Sequence, residues 1–276
     1  MTPQEHLKAG DPDQALKSLQ DLVRADPSDA KLRIFLFQLL CVLGDWKRAI
    51  TQLKLAAEMD EAATLMAKTY REAIICEVFR EKVFAGEKEP LIFGEPDEWL
   101  ALLIQAQKLL ADGNPTEAAE VRARAFDAAP PVSGVIDGQK FDWIADADMR
   151  MGPVLEVVIN GRYFWLPFSA ISTLTMEPPI DLRDAVWTAA TLTLVNGGEI
   201  VALIPTRYPG STSGDDGAAK LARSTTWVDV GADTYVGTGQ RLLTTDQGDI
   251  ALMDIRSLEI DASMKGAEAN EPPEDG

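Results

Sequence analysis

The sequence contains a single histidine, His6, within the first ten of its 276 residues. A Ser-His-Asp triad or a Cys-His pair requires a histidine beside the nucleophile, so the rest of the chain has no imidazole base for such chemistry. The two cysteines, Cys41 and Cys76, lie in apolar helical patterns and lack the spacing of zinc ligands. We interpret them as buried thiols of a protein in a reducing cytoplasm.

Basic residues are also scarce, because 26 Lys and Arg face 44 Asp and Glu, which gives a formal net charge of −18. This charge repels nucleic-acid phosphates and anionic membranes at long range, so we expect neither as a partner. The opening MTPQEHLKAG has no signal-peptide pattern, and no apolar run reaches the ~18 residues of a membrane span. No glycine-rich phosphate loop follows a strand pattern, and no cofactor is predicted.

What the sequence does contain is a repeat in its first half. A glycine followed five residues later by an alanine occurs at Gly10 and Ala15, Gly44 and Ala49, and Gly113 and Ala118. The first two pairs are 34 residues apart, which is the period of tetratricopeptide (TPR) repeats. Glycine permits a sharp turn between antiparallel helices, and alanine permits their close approach.

Residues 1–130 are therefore predicted to form about seven helices stacked as a short TPR-like α-α superhelix. A long helical pattern at 61–86 and the segment KEPLIFGEP after it interrupt the strict period. Helical arrays of this kind present a groove to an extended peptide or to a helix. The alternative is a packed scaffold whose groove is filled by the second half of the chain.

The second half changes from helical to alternating periodicity. Residues 131–262 are predicted to form a mostly antiparallel, barrel-like β domain with short helical turns at 145–150 and 179–186, which gives an α+β, two-domain fold. Hairpins are expected around Asn160-Gly161, Asn196–Gly198 and Asp246–Gly248. The acidic, proline-containing tail at 263–276 is predicted to be disordered.

Two sets of residues are candidates for function. The acidic set Asp142, Asp146, Asp148 and Glu156 could hold Mg²⁺ or Ca²⁺ in a regulator or hydrolase. The alternative is that these acids cap the turn at 145–150 and pair with Arg150, Arg162 or Arg183.

The other set consists of arginine and aromatic residues that could form a partner-binding face, namely Trp143, Arg150, Trp165, Arg207 and Tyr208. In an acidic protein, arginines more often make internal pairs that fix loops, and aromatic side chains are more often part of the core.

Several segments in one order give the chain a specific resemblance. These are FDWIADADMRMGPVLEVVINGRYFWLPFSAI (141–171), PPIDLRDAVW (178–187), NGGEIVALIPTRYPGS (196–211), GTGQRLLTTDQGDIALMDIR (237–256) and, in the helical half, GEPDEWLALLIQAQKLLADG (94–113). The sequence resembles the ImpE family, also called TagJ or SciE, over residues 4–260. It departs from the family pattern at Thr188-Ala189-Ala190, where the family tends to carry a proline.

The resemblance implies a cytoplasmic, non-enzymatic accessory protein of a bacterial type VI secretion system. It implies binding to a helical segment near the N-terminus of the small contractile-sheath subunit. The implied role is to modulate sheath turnover, with an indirect link to the disassembly ATPase.

Overall fold

A computed structural model describes residues 1–94 and 97–261, and its first half is helical. The helices there are α1 (Pro3–Lys8), α2 (Pro12–Ala25), α3 (Ala30–Val42), α4 (Trp46–Met59), α5 (Thr64–Phe84), α6 (Glu98–Ala111) and α7 (Pro115–Ala128). A short strand, β1 (Leu91–Ile92), lies between α5 and α6 in the segment that interrupts the repeat. The predicted TPR-like array of helices is confirmed.

The repeat glycines end their helices in the same way. Gly10, Gly44 and Gly113 have φ of +83°, +74° and +80°, a left-handed conformation that favours glycine. The amide of the next residue closes each turn, as from Asp45 N–H to Leu40 O at 2.9 Å. The alanine five residues later is fully buried in all three repeats, so the helix pairs approach closely.

The second half consists mainly of short strands. They are β2 (Gly134–Ile136), β3 (Gln139–Phe141), β4 (Ile144–Asp146), β5 (Val154–Ile159), β6 (Arg162–Pro167), β7 (Ile171–Met176), β8 (Trp187–Leu194), β9 (Glu199–Pro205), β10 (Thr225–Asp229), β11 (Tyr235–Gly239), β12 (Leu242–Thr245), β13 (Gly248–Ala251) and β14 (Ser257–Ile260). A four-residue helix, α8 (Gly217–Lys220), precedes β10. The three predicted hairpins are present as β5–β6, β8–β9 and β12–β13.

The strands form three sheets. The largest has nine strands in the order β1-β6-β5-β9-β8-β7-β14-β2-β3, and only its β1–β6 pair is parallel. The order β13-β12-β4 forms a second sheet, and β10 pairs with β11 in a third. Since β1 and β3 end the large sheet without pairing to each other, this sheet is open, and the predicted antiparallel domain is not a closed barrel.

One of the two predicted helical turns is wrong. Ala145 and Asp146 belong to β4, where they pair with Thr244 and Leu243 of β12, and a tight turn follows. Strand pairing over a long sequence distance therefore overrides the local helical tendency there. The turn predicted at 179–186 is present as a 3₁₀ helix, Leu182–Ala185.

Helices and strands pack directly against each other. One apolar cluster joins α2, α3, α4 and α5 to Trp187 and Leu221, and another joins α5, α6 and α7 to Val154, Tyr163 and Trp165. A third cluster lies within the strand half. The helical array is thus packed against strands and against the segments that connect them.

The domain boundary predicted at residue 130 lies in the connection between α7 and β2. Independent folding of the two halves stays a prediction. The prediction of a disordered tail concerns residues outside the described part of the chain. Among the described helices, none combines the length and the apolar character that a bilayer crossing requires.

Candidate functional site

A charged network is buried where α5 meets the large sheet, and Glu156 of β5 is at its centre. Arg80 of α5 donates to Glu156 through Nε to Oε1 at 2.5 Å and through Nη2 to Oε2 at 2.8 Å. Arg241 and the hydroxyl of Tyr163 donate to the same carboxylate. Glu156 and Arg241 are completely buried and Arg80 is nearly so, and the bonds from Arg80 link the helical and strand halves out of contact with water.

The network continues to two aspartates of the β4 end. Arg241 donates to Asp146, whose other oxygen accepts from Tyr208 Oη at 3.1 Å. Asp148 accepts from Arg150 Nη2 at 2.6 Å and from the Gly237 amide at 2.8 Å. The alternative considered from the sequence, in which the acids pair with arginines, matches this geometry, although the partners of Asp146 and Glu156 were not foreseen.

The two central carboxyls have opposite pKa shifts because they have different numbers of cationic neighbours. Burial disfavours ionised Glu156, but Arg80 and Arg241 outweigh burial and lower its pKa to about 2. Burial raises the pKa of Asp146 to about 6, since Arg241 is its one arginine partner and nearby Asp148 adds repulsion. Glu156 therefore acts as the permanent anion of the network.

This geometry does not favour the cation-binding alternative. The oxygens of Asp146, Asp148 and Glu156 are already occupied by arginine, tyrosine and backbone donors. Asp142 is exposed and lies on the turn between β3 and β4. Within residues 1–94 and 97–261, no cluster of three or more acidic, histidine or cysteine side chains is arranged to hold a metal ion.

The five residues predicted to bind a partner differ in accessibility. Trp165, Tyr208 and Arg207 are 0%, 1% and 5% exposed, and the side chain of Arg150 is 11% exposed. Trp143 is 41% exposed. In this conformation only Trp143 offers a partner substantial surface, and the other four act inside the protein.

Arg207 shows what such an internal role is. Its Nη1 donates to Val42 O at 2.7 Å and its Nη2 to Cys41 O at 3.2 Å, at the C-terminal end of α3. A guanidinium there faces the negative end of the helix dipole and bonds to carbonyls of the last turn, of which Cys41 O also accepts from the Gly44 amide at 3.1 Å. Burial lowers the pKa of Arg207 to about 10, although Glu77 opposes this effect.

Sequence reasoning missed the α5 residues of the network. Glu77 accepts from the indole of Trp187 at 3.1 Å and pairs with Arg80 at 3.2 Å. Both charged side chains are more than nine-tenths buried and lie between the core residues Ile74 and Val83. The available signal was an acid and an arginine three residues apart within an apolar helical stripe.

Two openings lie beside α5, on the edge of the large sheet. The more apolar one, about 200 Å³, is lined by Ile75, Phe79, Leu91 and Arg162, with Cys76, Gly161 and Tyr163 also in the wall. Ile75 is 45% exposed, so the opening is accessible from solvent. The second, about 300 Å³, is formed by the α5–β1 connection and α6, and the buried Gln107 Oε1 in its wall has no hydrogen-bond partner among the described residues.

Known proteins share both halves of this structure. The family model described as ImpE protein matches residues 138–259, and a tetratricopeptide repeat model matches residues 6–69. A curated relative from Pseudomonas aeruginosa, named type VI secretion system accessory component TagJ, is 52% identical over 261 residues. That alignment covers 95% of this chain and 92% of the relative. The chain belongs to the ImpE/TagJ family.

A solved structure has the same fold as this ImpE/TagJ chain. The crystal structure of protein VPA1032 from Vibrio parahaemolyticus aligns with a TM-score of 0.86 at 24% identity. The alignment covers 94% of this chain and 97% of that protein. At this level of identity the likeness concerns the fold, in which a helical repeat array packs on an open sheet.

Proposed function

We propose that this ImpE/TagJ protein is a cytoplasmic, non-enzymatic adaptor of a type VI secretion system. In this proposal it binds an N-terminal helical segment of the small contractile-sheath subunit and modulates sheath turnover, with an indirect link to the disassembly ATPase. The observation that carries the proposal is the near full-length similarity to an accessory component of that system. The TPR-like array and the arginine-neutralised acids agree with binding rather than catalysis.

The opening of about 200 Å³ beside α5 is the proposed anchor point for the partner helix. An amphipathic helix binds by inserting apolar side chains into an accessible apolar opening, and this one combines Ile75 and Phe79 of α5 with Leu91 of β1. Because Trp165, Arg207 and Tyr208 are buried where the helices pack on the second half, a site open to solvent fits better. Trp143 remains a candidate for a secondary contact.

The first test is co-purification with the small sheath subunit from the same gene cluster. We expect the full-length subunit to co-elute and a subunit that lacks its N-terminal helical segment not to co-elute. A synthetic peptide of that segment should give binding heat in calorimetry, at an affinity that falls as salt rises, because the acidic chain attracts a basic helix rim. Absence of both heat and co-elution would remove the proposal.

The binding position is tested with two substitutions on one helix. Ile75→Asp places a charge in the opening and should weaken peptide binding by at least about tenfold. Leu65→Asp is the matched control, because Leu65 lies on the same helix, is 76% exposed and does not line the opening. Equal affinities of the two variants would place the helix elsewhere, and Trp143→Ala would then be the next variant.

A further inference from the structure

We propose that the outer edge of β10 is a docking site for an extended, basic segment of a partner protein, which pairs with it as an added β-strand. The site consists of Thr225–Asp229, with the sequence TTWVD. It belongs to the two-stranded sheet and shares no residue with the opening beside α5. The inference is therefore independent of the proposed helix-binding site.

The register of the hairpin shows which backbone groups face outward. Val230 N–H donates to Thr234 O at 2.9 Å, and Gln240 N–H donates to Ser224 O at 2.8 Å. Antiparallel pairs alternate between bonded and non-bonded, so Thr226 and Val228 make the ladder bonds to β11. The N–H and C=O groups of Thr225, Trp227 and Asp229 then point away from β11.

The two edges of this small sheet differ in whether their outward backbone groups are hydrogen-bonded. Along the outer edge of β11, the amide of Gly239 donates to Ser211 Oγ and that of Gly237 to Asp148 Oδ2, both at 2.8 Å, while Tyr235 N–H contacts Met149 Sδ. On β10, within the part of the chain that the structure describes, the outward backbone groups have no such partner. One edge is thus closed by the protein itself, and the other offers a row of free donors and acceptors.

The β10 edge also lacks the features that usually block strand addition. Natural edge strands are guarded by lysine, proline, a bulge or a covering segment. TTWVD contains neither lysine nor proline, and its pairing with β11 is regular over five residue pairs. Trp227 is 38% and Val228 48% exposed, which gives each face of an added strand an apolar contact.

Charge identifies the kind of occupant. The segment 224–240 carries Asp229 and Asp233 and no basic residue. An added strand with Lys or Arg opposite Asp229 gains an attractive cross-strand pair. A second copy of this chain, with net charge −18, is disfavoured, and so is the chain's own terminus at 262–276, which carries four acids and one lysine. A basic, β-branched segment of another protein fits best.

The test uses the full chain and a phage-displayed library of random twelve-residue peptides as the probe. We expect selected peptides to alternate β-branched residues and to carry Lys or Arg. The best peptide, synthesised and measured by fluorescence anisotropy, should bind Val228→Lys at least about tenfold more weakly, since an edge lysine opposes strand addition and repels a basic strand. Asp229→Asn should weaken binding less, because asparagine can still accept the bond from Gly231 N–H and so keeps the local structure. It should also reduce the salt dependence of binding, because it removes a negative charge.

Val201→Lys is the matched control. Val201 is 73% exposed on β9, a strand paired on both sides, so lysine there should leave peptide affinity unchanged. Peptides that bind Val228→Lys as tightly as the parent chain would overturn the proposal. If the protein sediments as a dimer that Val228→Lys dissociates, the edge binds a second copy, and the proposal is overturned. If peptides bind tightly only after removal of residues 262–276, that segment occupies the edge, and the proposal is again overturned. We expect Val228→Lys still to co-purify the sheath subunit, so that a loss of peptide binding in this variant does not bear on the helix-binding proposal.

Discussion

The contacts between helices in the first repeats and the contacts between helices and strands around Glu156 stabilise the molecule by different means. In the repeats, alanines and leucines such as Ala15, Leu19 and Ala49 pack side by side with no exposure to solvent. Around Glu156, four buried acids lie with three buried arginines, namely Glu77, Asp146, Asp148 and Glu156 with Arg80, Arg207 and Arg241, and the partly buried Arg150 pairs with Asp148. The first kind of contact depends on small side chains, and the second on charged groups that bond to opposite charges or, for Arg207, to backbone carbonyls.

The two kinds of contact also differ in how far apart in the sequence their residues lie. Repeat contacts join neighbouring helices and recur with the 34-residue period, so one sequence pattern specifies several of them. The bond from Arg80 to Glu156 joins residues 76 positions apart, and that from Arg241 to Glu156 joins residues 85 apart. The bond from Arg80 crosses between the two halves, whereas the bond from Arg241 lies within the strand half, so it is through Arg80 that Glu156 couples the halves.

The largest expected effect comes from removing the central anion. Glu156→Gln keeps the side-chain shape but removes one buried negative charge, which leaves Arg80 with only Glu77 and Arg241 with only Asp146 as anionic partners. Breaking a buried pair in this way costs about 3–5 kcal/mol of unfolding free energy. Urea unfolding followed by circular dichroism measures the loss.

A surface pair is the control for Glu156→Gln. Arg24 and Asp21 form an ion pair at 2.5 Å, but their side chains are 72% and 73% exposed. Asp21→Asn should change the unfolding free energy by less than about 1 kcal/mol. If both substitutions cost the same, the buried network does not couple the halves as described.

A smaller loss of stability is expected on substitution of the repeat glycines, and two of them can be compared within the helical half. Gly10→Ala and Gly44→Ala both force alanine into a left-handed conformation, at a cost of about 1–2 kcal/mol. A Cβ at Gly10 meets no atom within 4 Å, whereas at Gly44 it would lie 2.8 Å from Thr212 Oγ1. Gly44→Ala should therefore be the more destabilising by about 1 kcal/mol, and equal losses in thermal unfolding would contradict the close packing of Thr212 on this turn.

The sequence predicted the elements that depend on neighbouring residues and missed those that depend on residues far apart in the chain. The helical array and the hairpins at Asn160-Gly161 and Asn196–Gly198 are specified by residues close in the chain, and the structure has them. The predicted helical turn at 145–150 is wrong because β12, nearly one hundred residues later, pairs with β4. Arg207 and Tyr208 were predicted to bind a partner, but both are buried, and their burial depends on contacts with α3 and β11 that no local pattern contains.

The smallest expected effect is a dependence on pH that distinguishes the two carboxyls of the network. The folded-state pKa of Asp146 is raised to about 6, above its ordinary value of about 3.9, so the folded protein binds this proton more tightly than the unfolded chain. The associated stability is present at low pH and is lost as pH rises through 6. Glu156, with its pKa lowered to about 2, remains ionised throughout this range and loses its contribution only in stronger acid.

Asp146→Asn isolates this effect, because asparagine does not titrate. From pH 5 to pH 7 the parent chain should lose about 1 kcal/mol of unfolding free energy relative to the Asp146→Asn variant. Chemical unfolding of both proteins at the two pH values, at constant ionic strength, measures the change in their difference. A difference that stays constant would mean that Asp146 is ionised throughout this range, and that Arg241 stabilises its charge as fully as two arginines stabilise that of Glu156.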